Sequence, residues 1–260
     1  MFLPLCPGRF LQSVVQSLIA GKVSMLLTEE KVYQVADVIP YIYQLKEEFE
    51  KSRLVQYMQQ ETTPVEERLN FAPYFAYFAN SFSDLSAYII PYENPDTDLK
   101  KKINQHTKED MCHNGLFLQD MQLFEEKFHD FTFTKCLEFL WDEKIKHSRI
   151  LSFGITKLTY LASEPSLRYC LIRIIEELGN TFFQISHKCK IGERESKYFG
   201  HIHLGYEPGH LHVEDEKLFE SQKLTSEQYE LAKQIVRECF TLFFNMMEEI
   251  YERTLERKFC

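Results

Sequence analysis

Histidine and carboxylate side chains gather in two short stretches of this sequence. In the sharper one, between Tyr198 and His212, His203, Glu207 and His210 follow the spacing H-x3-E-x2-H. At about 100° per residue, Glu207 lies about 40° and His210 about 20° from His203, so on a helix three donors would point one way. The other stretch holds His106, Glu109, Asp110 and His113, whose i, i+3, i+4 and i+7 spacing also shares one helical face. Between the two, Ile174-Ile175-Glu176-Glu177-Leu178-Gly179 sets a pair of acids in apolar surroundings, and one of them is expected to face inward. Helices that each offer carboxylate and imidazole, joined by an acid from another helix, form a donor set for two metal ions. Mixed oxygen and nitrogen donors suit iron, with manganese next. Structural zinc sites close at four ligands and favour sulfur.

The neighbouring residues read more plainly. Cys112 falls about 100° from His113 on a helix and is assigned to packing. Arg173, one turn before Glu176, is either a partner for a substrate carboxylate or a structural partner of that acid. Tyr198 and Tyr206 flank the second stretch and are read as packing tyrosines that each donate a hydrogen bond. His129, His147 and His187 stand alone and read as surface or core histidines. Histidine and acid neighbours also make ordinary i,i+4 contacts on helix surfaces. The weight therefore rests on two such stretches occurring with an acid pair between them.

Helices must position these donors, because apolar residues recur at intervals of three and four nearly throughout and strict alternation is rare. Thr28-Glu29-Glu30 is expected to cap a helix running towards Ile39, and Pro40 to restart it as Ile42 to Gln59. Pro64 with Glu66 and Glu67 announces a helix from Val65 to Ile90, kinked at Pro73. Asp96 or Thr97 caps the helix Leu99 to Leu123 that carries the first stretch. One or two helices fill Phe133 to Leu161, another runs from Leu167 to Lys188, and Thr225 caps a long terminal helix from Ser226 to Arg257. Gly205, Pro208 and Gly209 disfavour a regular helix, so the second stretch lies on a kinked helix or a loop. The sum is an all-α, single-domain bundle of about seven helices. Residues 1–63 supply a leader and N-terminal helices, and residues 64–260 the metal-binding core.

The chain has 260 residues, with 30 basic against 39 acidic, a formal net charge of -9 and no basic stripe. Nucleic acid is not expected as a partner. Lys100-Lys101-Lys102 reads as a solvated helix start. Seven widely spaced cysteines without a C-x2-C pair fit a reducing compartment. The first residues lack a basic region ahead of their apolar run, unlike a signal peptide, and no stretch approaches the roughly 18 to 20 apolar residues that cross a bilayer. A soluble, cytoplasmic protein is expected, with no membrane partner.

A histidine ending an acid-bearing helix, a carboxylate two helices on and then H-x3-[DE]-x2-H resemble the heme-oxygenase-like di-metal oxidases and oxygenases. Within that superfamily the chain is similar to the chlamydial protein associating with death domains and its bacterial relatives. The resemblance covers residue 64 onward. It implies a heme-oxygenase-like bundle, two iron ions and His113, Glu176, His203, Glu207 and His210 as ligands. Where the related pattern has Glu seven residues before the first histidine, this chain has His106, so Asp110 or Glu109 would supply the oxygen. The resemblance further implies dioxygen and a small organic substrate, amino-acid-derived or fatty acid, and is compatible with an external reductant and a homodimer.

Two rivals differ in class. A metal-free enzyme resembling thiaminase II or the pyrroloquinoline-quinone synthesis enzymes would use histidines as acids and bases, with Cys112, Cys170 or Cys189 as nucleophile. A helical partner-binding protein would turn nothing over.

Overall fold

Pro40, Pro73 and Pro165 each stand in the first turn of a helical element in the computed structural model, which describes residues 31–125, 132–206 and 213–256. A first-turn proline has no intrahelical partner to forfeit, and its fixed φ suits the helix. The fold is an all-α bundle: α1 (Ile39–Phe49), α2 (Arg53–Gln59), α3 (Ala76–Asp84), α4 (Asp98–Asp110), α5 (Asn114–Glu125), α6 (Phe133–Leu140), α7 (Lys146–Leu161), α8 (Pro165–Ser186), α9 (His201–Tyr206), α10 (Val213–Glu220) and α11 (Ser226–Glu256). Among the described residues, strands are confined to two antiparallel two-residue pairs, β1 (Tyr33–Gln34) with β4 (Lys223–Leu224) and β2 (Lys190–Ile191) with β3 (Arg194–Glu195). Gly192 closes the second pair at φ 58°, in the left-handed region that glycine adopts without strain. No helix among the described residues is long and apolar enough to cross a membrane.

The core lies along α8 and α11, which pack on each other and on α7, with α1 and α2 on the same helices. Leu171, Ile174, Leu178 and Phe182 of α8 and Ile235, Val236, Phe243 and Met246 of α11 are all buried in one core cluster. Each such side chain contributes about 1.5–3 kcal/mol on removal from water, so this seam dominates the stability of the bundle. The ends of its helices are fixed by side chains. Thr97 Oγ1 accepts from Lys100 N at 3.3 Å, as expected for a cap. At the head of α11, Thr225 and Gln228 cap reciprocally, at 3.0 and 3.2 Å.

Several expected helices are interrupted, each for a local reason. The stretch leading to Ile39 is, in its described part, the β1 pairing followed by a 3-10 turn (Val35–Asp37), and Tyr33 stacks on Tyr229 with ring centroids 4.0 Å apart. Ile42 to Gln59 is split at Glu50–Ser52, which turns Arg53 onto Glu248 and Glu252 of α11. From Val65 to Phe71 the chain forms turns, because the carbonyls of Val65 and Glu66 accept from Lys190 N and Gly192 N of the β2–β3 hairpin instead of continuing a helix. After Pro73, a 3-10 turn leads into α3, which ends in a π-helical turn (Leu85–Ile89) closed by Ile90 N on Leu85 O at 2.9 Å. The helix expected over Leu99 to Leu123 breaks at Met111–His113 into α4 and α5.

Candidate metal centre

One turn apart on α4, His106 and Asp110 both point inward, 3% and 5% exposed. Helix α8 packs against α4 and brings Glu176 to the same place. The Nε2 atom of His106 lies 3.4 Å from Asp110 Oδ2 and 3.2 Å from Glu176 Oε1. One donor atom from each of the three residues falls within 4.8 Å of the others. Two donors bound about 2.0–2.2 Å from one ion are roughly 3–3.5 Å apart at ordinary coordination angles, so the separations suit a shared ion. Two carboxylates around one imidazole in a mostly apolar setting also favour a cation electrostatically. The donor set fits iron or manganese by its chemistry.

Glu109 is exposed, which leaves Asp110 as the carboxylate of this stretch. The Met111–His113 turn ends α4 before His113, so the helical spacing from His106 does not extend to it, and the three-donor group forms without it. His113 meets the second stretch instead. Its Nδ1 lies 2.9 Å from His203 Nε2, the rings nearly perpendicular. The Nδ1 of His203 lies 2.9 Å from the carbonyl oxygen of Tyr198. A carbonyl only accepts, so Nδ1 carries a proton, and Nε2, the nitrogen this leaves for a metal, faces His113. Phe183 and Tyr198 pack on the His203 ring, with centroids 4.0 and 4.8 Å away. Glu207, His210 and His212 lie outside the described residues, as do His129 and the side chain of Tyr206.

A residue that the sequence reading passed over sets this second pair. Asp120, on α5 and fully buried, accepts from Lys197 N at 2.7 Å, Tyr198 N at 2.8 Å, Phe199 N at 3.3 Å and the Ser196 hydroxyl. Four donors on one carboxylate fix the turn whose Tyr198 carbonyl orients His203. The available signal was its spacing, seven residues after His113 and so on one helical face with it.

Asp110, His113, Glu176 and His203 converge on a cavity of about 60 Å³ walled by Phe75, Phe78, Phe182, Phe183, Phe243 and Met247. A single water needs roughly 10–15 Å³ on this measure, so the space takes a group of several heavy atoms.

Arg173 is a structural partner, of Glu177 rather than Glu176. It pairs with Glu177 at 2.9 Å and with Glu216, and donates to Tyr43 Oη at 3.2 Å, while Lys46 reaches Glu177 at 2.8 Å. Cys112 is exposed and not packed. Burial pushes the thiol of Cys170 up to about 12 and that of Cys189 up to about 11, so both stay protonated and unreactive at neutral pH. No described cysteine lines the cavity. His187 Nδ1 lies near Phe183 O, and neither His187 nor His147 lines the cavity or joins the three-donor group.

No protein-family model matches the chain, and no curated protein matches it. What the centre does is to be read from its own donors and walls.

Proposed function

We propose that the chain is a non-heme dinuclear iron oxidase or oxygenase, of the heme-oxygenase-like di-metal kind, that uses dioxygen on a small organic substrate. The observation that carries this reading is the convergence of Asp110 and Glu176, grouped with His106, and of the His113–His203 pair on one phenylalanine-walled cavity. His106, Asp110 and Glu176 would hold one ion. His113 and His203 would hold the other, joined by Glu207 and His210. Iron, or manganese in its place, would supply the electron transfer that dioxygen chemistry needs. The protein's part is to orient the donors, through Asp120 and the Tyr198 carbonyl, and to keep water from the reacting end of the substrate behind the aromatic wall. The free thiols among the described cysteines and the net charge of -9 support a reducing, cytoplasmic setting without nucleic acid.

Elemental analysis of protein purified under iron supplementation tests the reading. About two irons per chain are expected, lost in a Glu176→Ala/His203→Ala variant that keeps its helical circular dichroism. A folded wild-type protein without metal overturns the proposal. One observation favours a second reading: imidazoles 2.9 Å apart can also share a proton, as a metal-free acid–base enzyme would require.

A further inference from the structure

Gly179 stands one turn after Glu176 on α8, and both residues line the cavity. The interior of a 22-residue helix is a costly place for glycine, which gives up more backbone entropy there than alanine does. The backbone does not require it, since the positive-φ glycine among the described residues is Gly192. Nor does close packing, because a Cβ built at Gly179 meets no described atom within 4 Å. Gly154 on α7 is the contrasting case, where an added Cβ would run into Leu242 and glycine serves helix contact. What a side chain at 179 would enter is the cavity.

The charge of the wall is equally informative. Among the described residues, the charged and imidazole groups lining the cavity are Asp110, His113, Glu176 and His203, and no described lysine or arginine lines it. Arg173, the nearest cation along α8, is engaged by Glu177 and Glu216. A carboxylate placed among the phenylalanines would lose its hydration with no described cation in return, and an ammonium would find partners only at the Asp110 and Glu176 end. An apolar group of matching size would gain burial.

We infer that this cavity receives a neutral, apolar portion of a small-molecule substrate, held with its reacting end at the histidine and acid cluster, and that the missing side chain at Gly179 sets the size accepted. The inference rests on the reading of the cluster as the reacting centre. Within it, Gly179 is a specificity-determining position.

Xenon, a neutral apolar probe, tests the pocket in crystals of the protein as purified. An anomalous peak bordered by Gly179, Phe182 and Met247 is expected in the wild type. Its occupancy should fall at least about fivefold in Gly179→Leu, which fills the space, and less in Gly179→Ala. Should Gly179→Leu fail to fold, the graded loss in Gly179→Ala, a better helix former, carries the test. An empty wild-type cavity, or occupancy unchanged by either substitution, overturns the inference. Metal content is measured on the same preparations. Xenon bound in metal-free protein would overturn the oxygenase reading and leave the apolar pocket standing, whereas metal without xenon would do the reverse.

Discussion

Nδ1 of His113 lies 2.9 Å from Nε2 of His203 across 90 positions of chain. One ring comes from the turn that ends α4, the other from α9, and both depend on α5. That helix begins immediately after His113, and its Asp120 grips the segment leading to His203.

Asp120→Asn should therefore loosen the second pair without touching it. Metal affinity is expected to fall about 10–100-fold, read by competition with a chelator. Nitrogen NMR of the imidazoles should show His203 leaving its single Nδ1–H tautomer. A loss of about 1–3 kcal/mol in denaturant unfolding should accompany this, since buried amides lose a charged acceptor. Unchanged affinity with that stability loss would make Asp120 purely structural.

Metal removal should destabilise the fold. A ligand present at 100 times its dissociation constant adds about 2.7 kcal/mol, so chelation should lower the melting temperature of the wild type. Glu176→Gln should show a smaller chelator-induced drop than the wild type, since only the second ion would remain to be removed. Equal melting of chelated and untreated wild type would count against a metal bound at His106, Asp110 and Glu176.

Arg173→Met probes the assignment of this arginine to Glu177 and Glu216. Removing one partner of a buried pair costs about 3–5 kcal/mol, and Lys46, still on Glu177 at 2.8 Å, should hold the loss to the lower end. Denaturant midpoints measure it. Metal stoichiometry should stay at the wild-type value, and a drop would place Arg173 in the centre after all.

His147 makes stability depend on pH. Burial, followed by the charge of Lys146, holds its pKa below the ordinary 6.5. The unfolded chain then binds the proton more readily. The stability contribution is present above 6.5 and is lost as pH falls from there through the folded value. Melting curves between pH 7.5 and 5 should flatten in His147→Gln relative to wild type; parallel curves would remove His147 from the account.

Much of the bundle is legible in local signals. Thr97, Thr225 with Gln228, and Pro165 mark helix starts where capping and first-turn chemistry require them. His106, Asp110, His113 and His203 also stand out by residue type and spacing, which leaves Glu176 and Glu177 open as the inward acid. The way these donors group does not stand out. Helical periodicity puts His113 on the face of His106, but the turn at Met111–His113 ends α4 first, and His113 meets His203 in a contact that no local period encodes. The turns after Val65 escape for a similar reason, since the competing donors come from Lys190 and Gly192, more than a hundred residues away. Asp120 looks like any acid on an amphipathic helix until the amides of 197 to 199 are placed over it.

The pairing of Tyr33 with Leu224 joins positions about 190 residues apart, beside the stacked rings of Tyr33 and Tyr229. Closing so long a loop costs chain entropy that two residue pairs barely return. This clasp must then form late, after α7, α8 and α11 have condensed, and its contacts should contribute little to the folding transition state. Weakening it would speed unfolding and leave the folding rate almost untouched. On this expectation the clasp acts on how long the native bundle persists rather than on how quickly it is reached.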